Sequence, residues 1–173
     1  NNLKLNNLKF NINVVNFESH NSYKCVNYIK KNKIDFLLNA GVITKLKEPI
    51  LKSTKGIINI HPGILPMYRG CNCVEWAIYN NDYVGNSAHL MTSKYDAGPI
   101  IKVEKYNLFR KYTYKKIRKE IFIRGIRLAS NVIVFFRKYP KFKKFLKKQD
   151  NNLAHYYKLM DFKKLNLIKK KLK

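Results

Sequence analysis

Two short apolar runs constrain this chain most: "IDFLLNAG" at residues 34–41 and "GIINIH" at residues 56–61. Each has a strand's length, carries apolar side chains on consecutive positions, and stops at a glycine or a His-Pro-Gly turn. Strands apolar on both faces belong inside parallel sheets, where helices cover each side. "KEPILKST" between them predicts a short helical turn. Upstream, "KFNINVVNF" predicts a strand, and "SYKCVNYIKKNK" a helix with Val26 and Ile29 on one face and Ser22 as its cap. Strand, helix, strand, helix, strand predicts an α/β fold with a mainly parallel, twisted, Rossmann-like sheet and flanking helices.

The rhythm then changes. "CVEWAIYNND" predicts a helix burying Val74, Ala77 and Ile78. "NSAHLMT" and "GPIIKVEKYNL" predict paired strands. Residues 113–138 predict a long helix capped by Thr113, with an apolar stripe of Tyr114, Ile117, Ile121, Leu128, Val132 and Phe135. From Tyr139 the composition turns to lysine pairs and triplets. Residues 1–138 are therefore expected to form the main α/β domain, and 139–173 a basic, partly helical extension folded back on it.

At 173 residues the chain suits one domain with a real core. Its 36 Lys and Arg against 10 Asp and Glu give a net charge of +26. Such a field attracts polyanions or small phosphorylated substrates, although a solvated basic surface with no cognate partner is equally expected. No apolar run reaches the roughly 20 residues of a membrane span, and no signal peptide opens the chain. The first residue is Asn rather than Met, as expected of a start that is trimmed or not included. Three cysteines without framework spacing suit a reducing, cytoplasmic setting. Cys71 and Cys73 form a weak zinc signal with no further ligands, so the expectation is small buried residues and no metal.

Asn59 and His61 end the "GIINIH" strand two residues apart, so their side chains share a side. Ligands in open α/β sheets sit beyond the carboxyl ends of strands. An amide donor beside an imidazole can stabilise a developing oxyanion. The same pair could equally make a turn bond and cap a loop. Asp96, in "SKYDAGPI", could form an Asx-turn, or could raise the pKa of His61 and hold a proton-carrying water. His89 could line the same cavity or be an ordinary strand histidine.

Taken in order, "NIHPGILPMYRG", "EWAIYNND" and "GNSAHLMTSKYDAGPII" resemble the folate-dependent formyltransferases over roughly residues 34–103. That superfamily includes the glycinamide ribonucleotide, methionyl-tRNA and sugar-amine N-formyltransferases and formyltetrahydrofolate deformylase. The resemblance implies that Asn59, His61 and Asp96 are catalytic. Asn59 and protonated His61 would stabilise the oxyanion while Asp96 supports His61 and shuttles a proton. It implies 10-formyltetrahydrofolate as co-substrate, held by Val42, Ile43 and Thr44 on one side and by the loop of Met91 and Tyr95 on the other. Gly63, Arg69 and His89 would meet the acceptor.

Three departures qualify the resemblance. The family's first strand and its substrate loop precede the matched region, so the domain is expected to be N-terminally incomplete. Gly63 stands where Ser is frequent, as in the sugar-amine branch. The residues after Ile101 do not resemble the tRNA branch's C-terminal β-barrel. The expected reaction is formyl transfer to a primary amine on a small molecule or sugar nucleotide. The alternatives are action on methionyl-tRNA, hydrolysis of the formyl donor, and a non-catalytic basic binding protein.

Overall fold

The computed structural model describes residues 4, 5, 8, 9, 13–42, 44–107 and 112–172. Two two-residue strands, β1 (Lys4–Leu5) and β2 (Leu8–Lys9), pair antiparallel with each other. The predicted strand at 9–17 is not found: residues 13–17 are irregular, and 10–12 lie outside the described residues. Helix α1 (Tyr23–Lys31) starts at Ser22, whose hydroxyl accepts from the Cys25 N–H and supplies a first-turn donor with the partner it lacks inside the helix. It buries Cys25, Val26 and Ile29.

The main sheet runs β3 (Phe36–Asn39), β4 (Gly56–His61), β6 (Val84–Leu90), β7 (Ile100–Tyr106) in spatial order. The one-turn helix α2 (Glu48–Leu51) connects β3 to β4, and that pair is parallel. The next two pairings are antiparallel, so the sheet is mixed. Helix α3 (Cys73–Tyr79) and its loops return the chain to pair β6 antiparallel with β4, and a short loop at 91–99 then turns β6 directly into β7. The run read as a fully buried strand is the edge of this sheet among the described residues, and Leu38 is 42% exposed.

Helix α4 (Tyr114–Lys138) crosses β4 and β6. Thr113 caps it through the Lys116 N–H. Its buried stripe is Ile117, Ile121, Gly125, Leu128, Val132 and Phe136, so Phe136, not Phe135, ends the seam. Phe36 and Phe142 pack against the Phe136 ring at centroid distances of 4.7 and 4.4 Å.

The lysine-rich end packs onto the body. Strand β8 (Tyr156–Tyr157) pairs parallel with β5 (Arg69–Gly70). Helix α5 (Phe162–Lys171), capped by Asp161, puts Ile168 into the same core cluster as Val74, Ala77 and Ile78 of α3, joined by Met160 and Leu172. Trp76 of α3 lies 5.1 Å from the Tyr157 ring and donates its indole N–H to the Lys158 carbonyl at 3.0 Å. Most lysines of this end stay in water while Phe142, Met160, Ile168 and Leu172 go inside; Leu159, Phe162 and Leu167 remain exposed. Of the pair expected to be buried, Cys73 is buried but Cys71 is exposed; Cys25 is buried as well.

Candidate active site

Strand β4 delivers Asn59 and His61 to one end of the sheet, and its antiparallel partner β6 places His89 directly opposite Asn59. The turn after β6 brings Asp96 to both imidazoles. Its Oδ1 lies 3.5 Å from His61 Nδ1 and 3.6 Å from His89 Nε2. Asp96 holds a left-handed φ of +48°, a backbone geometry that Asp tolerates better than most residues. Its other oxygen, Oδ2, accepts the Gly70 N–H at 2.9 Å.

Hydrogen bonding fixes the direction of every group here. Asn39 Oδ1 accepts the Val42 and Gly41 N–H groups at 2.8 and 3.3 Å, so its amide nitrogen faces away from them. That nitrogen donates to Asn59 Oδ1 at 2.9 Å. Asn59 Nδ2 in turn lies 3.1 Å from His89 Nε2. His89 Nδ1 lies 3.0 Å from the Leu90 carbonyl and must donate there, which leaves Nε2 as the acceptor for Asn59. Asn59 thereby keeps one amide hydrogen for a ligand.

His61 is 4% exposed, and its Nε2 lies 2.7 Å from the Tyr68 carbonyl. A carbonyl can only accept, so Nε2 carries the proton and Nδ1 is the nitrogen free to exchange one beside Asp96. Burial lowers the His61 pKa from 6.5, outweighing the upward pull of Asp96 and of the Tyr68 carbonyl. The expected rise in the His61 pKa is therefore corrected: Asp96 acts in that direction, but desolvation is larger. Burial would raise the Asp96 carboxyl, but contact with His89, the charge of His61 and the Gly70 N–H hold it below its ordinary 3.8.

A cavity of about 100 Å³ opens beside these groups. Val42, Thr44, Met91 and Tyr95 line it together with Asn59, His89 and Asp96. Ile43 lies outside the described residues. Next to it, sharing Asn39, Val42 and Leu46, is a hollow of about 420 Å³ under α1.

Two expectations about the acceptor side change. Arg69 is turned inward and does not line the cavity: it is 4% exposed, and its Nε and Nη2 donate to Gln149 Oε1 at 3.0 and 2.7 Å. Gly63 is buried under His61, where a Cβ would sit 2.6 Å from His61 Nε2 and 2.7 Å from the Tyr68 carbonyl. Sequence reasoning missed Asn39 and Gln149. Asn39 had a signal, because it stands in register with Asn59 at the end of the neighbouring strand. Gln149 had none. Among the described residues no group of three or more His, Cys, Asp or Glu is placed to hold a metal ion.

A mixed α/β sheet that gathers an amide, two imidazoles and a carboxylate at one strand end marks a group-transfer domain. Residues 8–133 match the formyl transferase family, and the chain belongs to that family. It is 33% identical over 121 residues to the bifunctional polymyxin resistance protein ArnA of Wigglesworthia glossinidia brevipalpis, covering 69% of this chain and 18% of that one. It is 34% identical over 110 residues to a methionyl-tRNA formyltransferase of Mycoplasmopsis pulmonis, covering 62% and 37%. In fold it is similar to the formyltransferase PseJ of Anoxybacillus kamchatkensis, solved with UDP-4,6-dideoxy-4-formamido-L-AltNAc and tetrahydrofolate. That match has a TM-score of 0.59 at 20% identity, over 79% of this chain and 70% of that one. The chain spans less than half the length of these two curated relatives.

Proposed function

We propose that the protein transfers a formyl group from 10-formyltetrahydrofolate to a primary amine carried by a sugar nucleotide or similar small molecule. The observation that carries this reading is the convergence of Asn59, His61 and Asp96, with Asn59 lining the cavity and keeping one amide hydrogen unpaired. The folate, as substrate, supplies an activated formyl group. The lining fits such a group in kind. Val42 and Met91 offer apolar walls, and the hydroxyls of Thr44 and Thr92 offer polar contacts at the rim.

Each residue then has a chemical role. The free Asn59 N–H stabilises negative charge on the formyl oxygen. Neutral His61 accepts a proton at Nδ1 as the amine attacks, and the positive charge so formed on the imidazolium offsets the negative charge on the oxyanion. Asp96, ionised, stabilises that imidazolium. The proton passes to the folate nitrogen as the tetrahedral intermediate collapses, the formyl C–N bond to the folate breaks and tetrahydrofolate leaves. His89 holds Asn59 in place. The sugar-nucleotide acceptor is supported by the "NIHPG" stretch and by the fold shared with PseJ.

Incubating the protein with 10-formyltetrahydrofolate and a panel of amino sugars tests this. Amine-dependent release of tetrahydrofolate is expected, reduced on the order of 100-fold or more by His61→Ala or Asn59→Ala. No donor consumption with any amine rejects the reading. The +26 charge and the methionyl-tRNA formyltransferase relative favour one other acceptor, an aminoacylated tRNA. Initiator tRNA bound more tightly than other tRNAs, with affinity falling steeply in salt, would select it.

A further inference from the structure

The C-terminal stretch runs over the loop that holds Asp96 and touches it repeatedly. Lys147 bridges Ile100 through reciprocal backbone hydrogen bonds of 2.8 Å. The Tyr156 hydroxyl donates to the Tyr95 carbonyl. Between these contacts Gln149, 6% exposed, spans two loops with one amide. Its Nε2 donates to the carbonyls of Asp96 and Gly98 at 2.8 and 2.6 Å. Its Oε1 takes the fork of Arg69. Arg69 also donates to Asn151 Oδ1 at 3.2 Å, and its neighbour Gly70 donates its backbone N–H to Asp96 Oδ2.

One closed circuit results. Gly70 holds Asp96 from one side by its carboxylate, and Gln149, braced by Arg69, holds the same residue from the other by its carbonyl. The amide chemistry is specific. A carboxylate at position 149 would keep the Arg69 pair and lose both donors to the loop carbonyls. A left-handed residue at the pivot needs outside contacts to hold its conformation.

We propose that Gln149 is a positioning residue for Asp96, locking the loop of residues 95–98 to the Arg69–Gly70 strand so that the carboxylate stays against His61; this rests on the formyl-transfer reading above. Gln149 lies outside the stretch matched to the family, so the circuit makes the C-terminal stretch a working part of the site.

The test is Gln149→Glu, read by amide hydrogen exchange at Gly70 and by steady-state kinetics. Gly70 reports the carboxylate directly, and Cys71, bonded to the Tyr157 carbonyl, is the control. The expected result is about tenfold faster exchange at Gly70 with Cys71 unchanged. Turnover is expected to fall about tenfold or more with little change in KM for the folate, since the lost interaction serves the reacting centre. Unchanged exchange at Gly70 overturns the assignment, and so does equal acceleration at Gly70 and Cys71, which would mean general loosening. Should the glutamate variant fail to fold, Gln149→Asn, neutral but too short to span both loops, gives the same reading. If the parent protein turns over no amine, the formyl-transfer reading fails while Gly70 exchange still decides the role of Gln149.

Discussion

Gly63 sets a steric limit on His61. A methyl group there would sit 2.6 Å from His61 Nε2 and 2.8 Å from the Cys73 Cβ, closer than packed atoms approach. Gly63→Ala should push the imidazole off the Tyr68 carbonyl, lowering stability by about 1–3 kcal/mol and turnover with it. Thermal melts and the formyl-transfer assay measure both, and an unchanged variant contradicts the packing. His61 also sets a pH dependence. Its folded pKa lies below 6.5, so below 6.5 the unfolded chain binds more protons than the folded one. Its contribution is whole above that value and is lost as pH falls through it. Asp96, depressed below 3.8, adds a second loss at lower pH. Melting temperature should therefore drop between about pH 7 and pH 5, and His61→Asn should flatten that drop.

Among the elements, α4 carries its own test. Gly125 faces β4 and β6 on the buried seam, and a Cβ there would meet Asn86 Oδ1 and Ile60 Cγ2 at an ordinary 3.5 Å. Gly125→Ala should stabilise the protein by about 0.5–1 kcal/mol, visible as a higher denaturant midpoint at an unchanged slope. Elements with strong local signals were legible in the sequence. Ser22 and Thr113 cap where their side chains indicate, and the β4 strand ends where His-Pro-Gly must turn. Asn59 and His61 were legible for the same reason, because alternation along one strand fixes their shared side. The missed features depend on pairing across distance. Position 125 breaks the apolar stripe in composition, though it packs as part of it. The edge character of β3 depends on which strands neighbour it. The link from Arg69 to Gln149 joins residues 80 positions apart, and no local pattern encodes it. An arginine in a glycine-flanked loop looks free for a substrate until its amide partner is seen.

For the molecule as a whole, charge outweighs every other surface property. At +26 the folded chain repels itself, and the ion pairs among the described residues are few and mostly exposed. Salt screens repulsion over about 10 Å at 0.1 M, so the melting temperature should rise as sodium chloride goes from roughly 0.05 to 0.5 M. A fall would mean that specific ion pairs outweigh the general repulsion. The same field draws polyanions toward the surface at low salt and makes nucleic-acid binding easy to mistake for specific recognition. Salt titrations therefore belong beside every binding measurement on this protein. Among the described residues no helix is long and apolar enough to cross a membrane.

The chain has one tryptophan, and it lies against the segment that returns over Asp96. Trp76 packs on Tyr157, donates to Lys158, and sits 5.0 Å below the Lys164 ammonium. Its emission is thus an optical gauge of whether that segment is seated. Release would expose the indole to water and shift its fluorescence to the red without any added label. A stopped-flow trace of that emission would then time the seating of the segment.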